Sequence, residues 1–345
     1  MDQTKSTRPG RNVSWVRTIG NLLAGALVLT VLFSALVACS AQTRGAGSAQ
    51  AGEQSNRPVD MVVPFGPGGG ADQLARITAP EMEKELDTQV PVVNTDGATG
   101  STGMTSMLSA PPGESTAVLI QDTLATVAAG SASFELGELQ GVCRLQEMPS
   151  GLFVKGDGPY GSWDELAAAA KERPGELKVA TVGESSADDI MLAALAQQGI
   201  EFRAVPFADP NERYNALLGG AVDVLYEQPG DVLPNLESGQ FEPVLIFSDK
   251  PVDGLEGNPV LSADVGVDVV LNQFRGLVTS KEASPETVER LSDACSKVQE
   301  DEKFAEFQKS NYSMPGSYMN SKEFDKYLGE QLEQIESLGQ RYGVS

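Results

Sequence analysis

The chain has 345 residues, 48 acidic against 25 basic side chains, a formal net charge of −23 and no histidine. Such a charge argues against nucleic acid and against adhesion to an anionic lipid surface. The missing histidine removes the commonest general base and the commonest transition-metal ligand, so neither a metal nor a cofactor is implied.

Lys5, Arg8, Arg11 and Arg17 stand against Asp2 at the start, and Thr18 to Ala38 carries no charge. A basic region, an apolar run and a small-residue boundary read as an export signal. The uncharged run is also long enough for a retained anchor, but Gly20, Asn21 and Gly25 weaken it as a spanning helix. Leu36-Val37-Ala38-Cys39 resembles the bacterial lipobox, in which the cysteine is diacylated and becomes the mature N-terminus. Residues 1–38 are therefore expected to be a lipoprotein signal peptide, with Cys39 lipidated on the outer face of a membrane. Taking a leader of net +3 from −23 leaves the mature chain near −26. Residues 39–57 are small and polar, cannot bury enough surface to fold, and read as a flexible tether.

The most informative stretch follows. An apolar run, Met61–Phe65, leads into Gly66-Pro67-Gly68-Gly69-Gly70 and an acidic helix start at Asp72. A strand, a turn with little side-chain bulk and a helix N-terminus let successive N–H groups converge on an anion. The loop formally satisfies the dinucleotide pattern G-x-G-x-x-A, but Pro67 stiffens the turn, Asn94 rather than an acid ends the next strand, and the protein is exported. A Walker A loop fails because no Lys-Ser/Thr follows.

Beyond it, short apolar runs alternate with helical stretches. Strands are expected at 61–65, 90–94, 117–121, 152–155, 177–182, 202–206, 222–227, 243–247 and 275–280, and helices at 72–86, 162–172, 186–198, 210–218, 284–299 and 320–341. Ser162-Trp163-Asp164-Glu165 has the form of a capping box, and Ser284 precedes a proline at the first helical position. This alternation implies an α/β fold with parallel-rich sheets, whose ligands bind beyond the carboxyl ends of the strands. The glycine segment 94–103 either lines such a cleft or simply turns the chain.

A second strand, small-residue turn and helix start occurs at Ala180-Thr181-Val182-Gly183-Glu184-Ser185-Ser186. Two anion-capable loops in separate halves suggest a cleft between lobes. Asp188 and Asp189 suit a solvent-facing helix start, and Glu227 and Asp231 read as ordinary surface more readily than as ligand contacts. Cys143 and Cys295 remain after Cys39, and in an oxidising exterior an even pair favours a disulfide over a redox or metal site. No nucleophile has a histidine partner, which disfavours a hydrolase.

From residue 58 onward the chain resembles the substrate-binding proteins of tripartite tricarboxylate transporters, the Bug or TctC-type group. The resemblance lies in Val62 to Asp72 with Ala75-Arg76, in Asn94 to Gly103, in Pro174-Gly175 and the loop after it, in Leu217 to Asp223, and in Pro234 with Ser238-Gly239-Gln240. It implies a two-lobed periplasmic-binding-protein fold of the Venus-flytrap type II class, no enzymatic activity, and delivery of a small organic anion, usually a carboxylate, to membrane permease subunits. It places lobe one at 58–152 plus 272–345 and lobe two at 153–271, with Cys143 and Cys295 bonded inside lobe one. One end of the ligand would rest on Phe65, Pro67 and Gly68–Gly70, with Asp72 organising the loop, and the other would meet Thr181, Gly183, Ser185 and Ser186. The second loop departs from the family in carrying Glu184, Asp188 and Asp189, acids that would repel a dicarboxylate and leave an amide, an amino acid or a monocarboxylate open. The alternative function is a ligand-sensing lipoprotein that presents its loaded form to a membrane signalling partner.

Overall fold

The structure is a computed structural model and describes residues 57–344. The expected leader, Cys39 and the tether up to residue 56 lie outside the described residues. In chain order the elements are β1 (Asp60–Val63), α1 (Gly70–Leu86), β2 (Val92–Asn94), α2 (Ser101–Leu108), β3 (Ser115–Ile120), α3 (Gln121–Ala128) and β4 (Leu139–Met148). There follow β5 (Gly151–Lys155), α4 (Trp163–Glu172), β6 (Lys178–Thr181), α5 (Ala187–Ala196), β7 (Arg203–Pro206), α6 (Pro210–Leu218), β8 (Val224–Glu227), α7 (Leu233–Glu237), β9 (Phe241–Ile246) and β10 (Val260–Leu261). The chain returns through β11 (Gln273–Ser280), α8 (Pro285–Val298), α9 (Glu302–Ser310) and α10 (Ser321–Tyr342).

Two sheets result, in the orders β2-β1-β3-β11-β4 and β10-β9-β5-β8-β6-β7. The chain passes from the first to the second across Pro149–Ser150, and returns between Leu261 and Gln273. Each sheet is parallel apart from the crossing strands. β11 runs antiparallel to β3 and β4, and β5 runs antiparallel to β8 and β9. The βα units therefore point the carboxyl ends of β1, β3, β6 and β8 at a common cleft, where the loops following them meet.

Local chemistry marks the helix starts. Ser162 Oγ accepts the Glu165 N–H at 3.3 Å, and Ser284 Oγ accepts the Thr287 N–H at 3.2 Å with Pro285 at the first helical position. Asp209 caps α6 through the Asn211 N–H at 2.7 Å, again ahead of a proline, Pro210.

β4 has no counterpart among the strands expected from the sequence, because Gln140, Arg144, Gln146 and Glu147 break any period-2 apolar pattern. Its polar groups are matched by the C-terminal segment instead. Arg144 donates to the Ser317 and Gly316 carbonyls, pairs with Glu147 at 2.7 Å and lies 4.4 Å over the Tyr327 ring. Asp325 accepts the Gly141 N–H at 2.7 Å. Cys143 on β4 and Cys295 on α8 form a disulfide, with Cα atoms 6.4 Å apart and both residues fully buried. It joins a strand of the first sheet to a helix packed on that same sheet.

Candidate functional site

The cleft between the two sheets has about 460 Å³ of space, its mouth included. From the first-sheet side it is lined by Phe65, Gly66, Gly69, Gly70, Ala71 and Asp72 of the β1–α1 turn, by Asp122 at the start of α3, and by Gln273 and Arg275 of β11. The second-sheet side brings Val182, Asp188, Arg213, Tyr226 and Glu227 at the end of β8, and Gln228 and Asp231 just beyond it.

The β1–α1 turn is built as its glycines require. Gly68 adopts a φ of +90°, a conformation a side chain would strain. Asp72 turns its carboxylate back onto the loop, accepting the Gly68 N–H at 2.9 Å, both Arg76 donors at 2.9 Å and Asn94 Nδ2 at 2.9 Å. Burial pushes the Asp72 carboxyl up, but Arg76, the Gly68 amide and Asn94 outweigh it and hold the group below its ordinary range. Asp72 thus serves the loop. The amides of Gly70 and Ala71, in the first turn of α1, have no acceptor within their own helix and sit at the positive end of its dipole. A Cβ on Gly70 would run into the Arg275 guanidinium and the Asp231 carboxylate.

The second loop is arranged differently. Its amides are met by the protein's own carboxylates. Asp188 Oδ2 accepts the Val182 N–H at 2.9 Å, Asp189 accepts the Ser186 N–H at 3.3 Å, and Asp122 Oδ1, reaching from the opposite side of the cleft, accepts the Ala187 N–H at 3.0 Å. Thr181 is fully buried, and Gly183 packs against Thr99, whose Oγ1 donates to the Glu184 carbonyl at 3.1 Å. Ser185 and Ser186 line a separate hollow with Ala125, Ile335 and Gly339, between α3, α5 and α10. Pro67 presents its carbonyl to Asn211 Nδ2 across the cleft at 3.0 Å. The structure therefore brings Phe65, Gly69, Gly70 and Asp72 together around the cleft, while Gly183 packs on Thr99, Ser185 and Ser186 line the separate hollow, and Thr181 is fully buried and not part of the cleft lining.

Four acids depart from the surface role expected of them or went unnoticed. Asp188 is buried rather than facing solvent, Glu227 and Asp231 are buried rather than ordinary surface, and Asp122 begins a helix that the sequence hides. Arg213 pairs with Glu227 at 2.6 Å, and Tyr214 adds its hydroxyl to the same carboxylate at 3.2 Å. Arg275 grips Asp231 through both terminal nitrogens and donates to Gln228 Oε1 at 3.0 Å. Burial pushes the Asp231 carboxyl up to about 6 despite Arg275. Burial likewise raises Asp122, against Gln273 and Arg213, and raises Asp188 well above its usual value with Asp122's charge adding to the effect. Both arginines are thus committed to acids, while Asp122 and Asp188 have hydrogen bonds but no salt-bridge partner among the described residues. Arg213 Nε is buried without a partner in the described structure.

Two α/β sheets flanking a loop-lined cleft, with the chain crossing between them twice, define a two-lobed fold of the periplasmic-binding-protein type. The chain belongs to the tripartite tricarboxylate transporter family receptors, whose family model matches residues 74–344. It is 27% identical over 300 residues to the UPF0065 protein in the gbd 5′ region of Cupriavidus necator, covering 86% of this chain and 91% of that protein. Among solved structures it is similar to the periplasmic binding protein BugD, with a TM-score of 0.76 and 24% identity, over 84% of this chain and 98% of that one. It is also similar to MatC from Rhodopseudomonas palustris with bound malate, with a TM-score of 0.75 and 23% identity, over 82% of this chain and 98% of that one.

Proposed function

We propose that this chain is an extracytoplasmic solute-binding lipoprotein, tethered through Cys39, which captures a small carboxylate between lobe one (58–152 plus 272–345) and lobe two (153–271) and hands it to a tripartite tricarboxylate-type permease. The observation that carries the reading is the β1–α1 turn. Gly70 and Ala71 line the cleft, their first-turn amides have no acceptor in their own helix, and Asp72 keeps the loop in shape. Membership in a receptor family of tripartite transporters supports delivery to a permease, and the malate bound to the structurally similar MatC supports a carboxylate ligand. The division of the strands, with 60–148 and 273–280 in one sheet and 151–261 in the other, supports the lobe boundaries. Membership in a receptor family and the lack of any histidine to activate a nucleophile support binding over turnover.

A ligand that binds only the native state adds stability, about 2.7 kcal/mol at a hundredfold excess over its dissociation constant. Thermal shift of the full chain against carboxylates, amides, sugars and amines is therefore the test. A rise with carboxylate-bearing compounds supports the reading, and a rise only with compounds lacking a carboxylate refutes it.

A further inference from the structure

One methionine is placed differently from the rest. Of the nine in the chain, Met1 lies outside the described residues, Met61, Met82, Met104, Met107, Met148 and Met191 are at most 1% exposed, and Met319 is half-buried. Met314, in the connector between α9 and α10, is 40% exposed. A thioether open to solvent is the one an oxidant reaches first.

A second, independent observation is what that sulfur touches. Asn272 Nδ2 donates to Met314 Sδ at 3.3 Å and to Glu147 Oε1 at 3.1 Å. Asn272 is the last residue before β11, where the chain returns to the first sheet, and Glu147 is the penultimate residue of β4, where the chain leaves it. The Met314 N–H donates to the Glu147 carbonyl at 2.8 Å, and Ser317 Oγ accepts the Glu147 N–H at 3.1 Å. The connector thus fastens the two passages between the sheets side by side. Its start lies against the second-sheet half: a Cβ on Gly230 would fall 2.4 Å from Asn311 Cα. Gly230 stands in the turn that carries Gln228 and Asp231 into the cleft lining.

We propose that Met314 is a modification site: a hydroperoxide converts it to the sulfoxide, and the sulfoxide loosens the closed arrangement of the two halves. The sulfur lone pair attacks the outer oxygen of the peroxide. An S–O bond forms as the O–O bond breaks, and sulfur gives up two electrons. The proton on the transferred oxygen passes to the leaving oxygen, which departs as an alcohol, or as water when the oxidant is hydrogen peroxide. A weak acceptor thereby becomes a strong and bulkier one that competes for the same Asn272 donor. A hydrogen bond from the amide to that oxygen takes about 2.9 Å by itself, whereas the sulfur bearing the oxygen already stands 3.3 Å from the amide nitrogen. Connector and Asn272 must therefore move apart, and the seat of Asn311 on Gly230 shifts with the connector.

The experiment treats the ligand-free full chain with hydrogen peroxide and follows two quantities by mass spectrometry. Peptide mapping reports which methionine gains an oxygen, and amide hydrogen exchange reports opening. The Ala187 N–H, held by Asp122 across the cleft, is the reporter, because it exchanges only when the halves part. Met314 should be oxidised before any other described methionine. Exchange of the peptide containing Ala187 should then quicken by about 3- to 10-fold, the range for one neutral hydrogen bond. Amides of the buried strand β3 should exchange as before. Methionine sulfoxide reductases acting on both epimers should restore the slow rate. Met314→Leu, which offers no sulfur, should exchange at one rate with and without peroxide; if that variant fails to fold, the wild-type series decides alone. A different described methionine oxidised first, or unchanged exchange around Ala187 once Met314 is the sulfoxide, would overturn the proposal. Equal quickening in β3 would overturn it too, because oxidation would then be unfolding the chain rather than parting its halves. No ligand takes part, so each outcome leaves the carboxylate reading as it was.

Discussion

Asp122 and Ala187 are joined across the cleft: the carboxylate at the start of α3 accepts, at 3.0 Å, the first amide of α5. The donor belongs to the second-sheet half and the acceptor to the first, so this bond forms only when the halves are together. Asn211 to the Pro67 carbonyl, Thr99 to the Glu184 carbonyl and Arg275 to Asp231 have the same character. The halves can therefore close on the protein's own groups, with a side-chain carboxylate where a ligand anion could have been.

Asp122→Ala should consequently loosen closure in the absence of ligand. Losing a hydrogen bond to a charged group costs roughly 1.5–3 kcal/mol, enough to move an open–closed equilibrium by about 10- to 100-fold. Small-angle scattering of the ligand-free variant should show a larger radius of gyration than wild type. Superimposable scattering curves would mean that the bond does not hold the halves together.

Gly70 should tolerate no side chain. Its Cβ would collide with both members of the Arg275–Asp231 pair. Gly70→Ala should weaken carboxylate binding by about 100-fold or more, the scale expected when a buried charged pair is displaced. Gly137→Ala, where nothing lies within 4 Å of the added carbon, should match wild type in affinity and in melting temperature.

Arg275→Met leaves Asp231 buried and unpaired. The cost of such a change is about 3–5 kcal/mol. The double variant Arg275→Met/Asp231→Leu, which removes both charges, should recover most of it. Urea unfolding of the three proteins checks this; equal midpoints for the single and double variants would show that the charge left on Asp231 is not what destabilises.

Much of this arrangement was legible before the structure. The β1–α1 turn stands where the run from Met61 to Asp72 put it, since strand, glycines and acidic helix start are all local signals. The edge strand β4 was not legible, because Arg144 and Glu147 are satisfied by each other and by residues 316–327, which lie far along the chain. α3 begins directly where β3 ends, at Ile120, with no turn residue and no side-chain cap to announce it, so Asp122 had no helix to be placed on. α2 was hidden in a segment whose glycines read as turn. The pairings that fill the cleft, Arg275 with Asp231 over 44 residues and Ala187 with Asp122 over 65, are tertiary choices that no local pattern encodes.

The disulfide should act on stability and leave recognition alone. Cys143 and Cys295 close a loop with a sequence separation of 152, and both lie on the first-sheet side, away from the cleft lining. The Cys143→Ala/Cys295→Ala variant should lose about 2–5 kcal/mol. Its affinity for the best ligand should stay within about twofold of wild type by calorimetry. A large loss of affinity in a protein that still unfolds cooperatively would show that the bond shapes the cleft as well.

Stability should fall as pH rises from mildly acidic to neutral. Burial pushes Asp189 and Asp231 up to about 6 from an ordinary 3.8, and Asp188, facing Asp122, Arg213 and Asp189, is raised well above that ordinary value. In each case the folded protein holds the proton more tightly than the unfolded chain. Stability from these groups is therefore fully present below about 3.8 and is lost as pH rises through the folded values near 6. Asp72 works in the opposite sense, its lowered carboxyl adding stability above its ordinary value that is lost only at lower pH. The melting temperature should accordingly be higher at pH 5 than at pH 7.5, by several degrees, in ligand-free protein at fixed ionic strength. Asp189→Asn and Asp188→Asn, which are neutral at every pH, should each flatten that difference, chiefly by raising the value at pH 7.5. A wild-type melting temperature that climbs steadily from pH 5 to 7.5 would show that these carboxyls ionise in the folded protein as easily as in the unfolded chain, and that the cleft is wetter than its burial suggests.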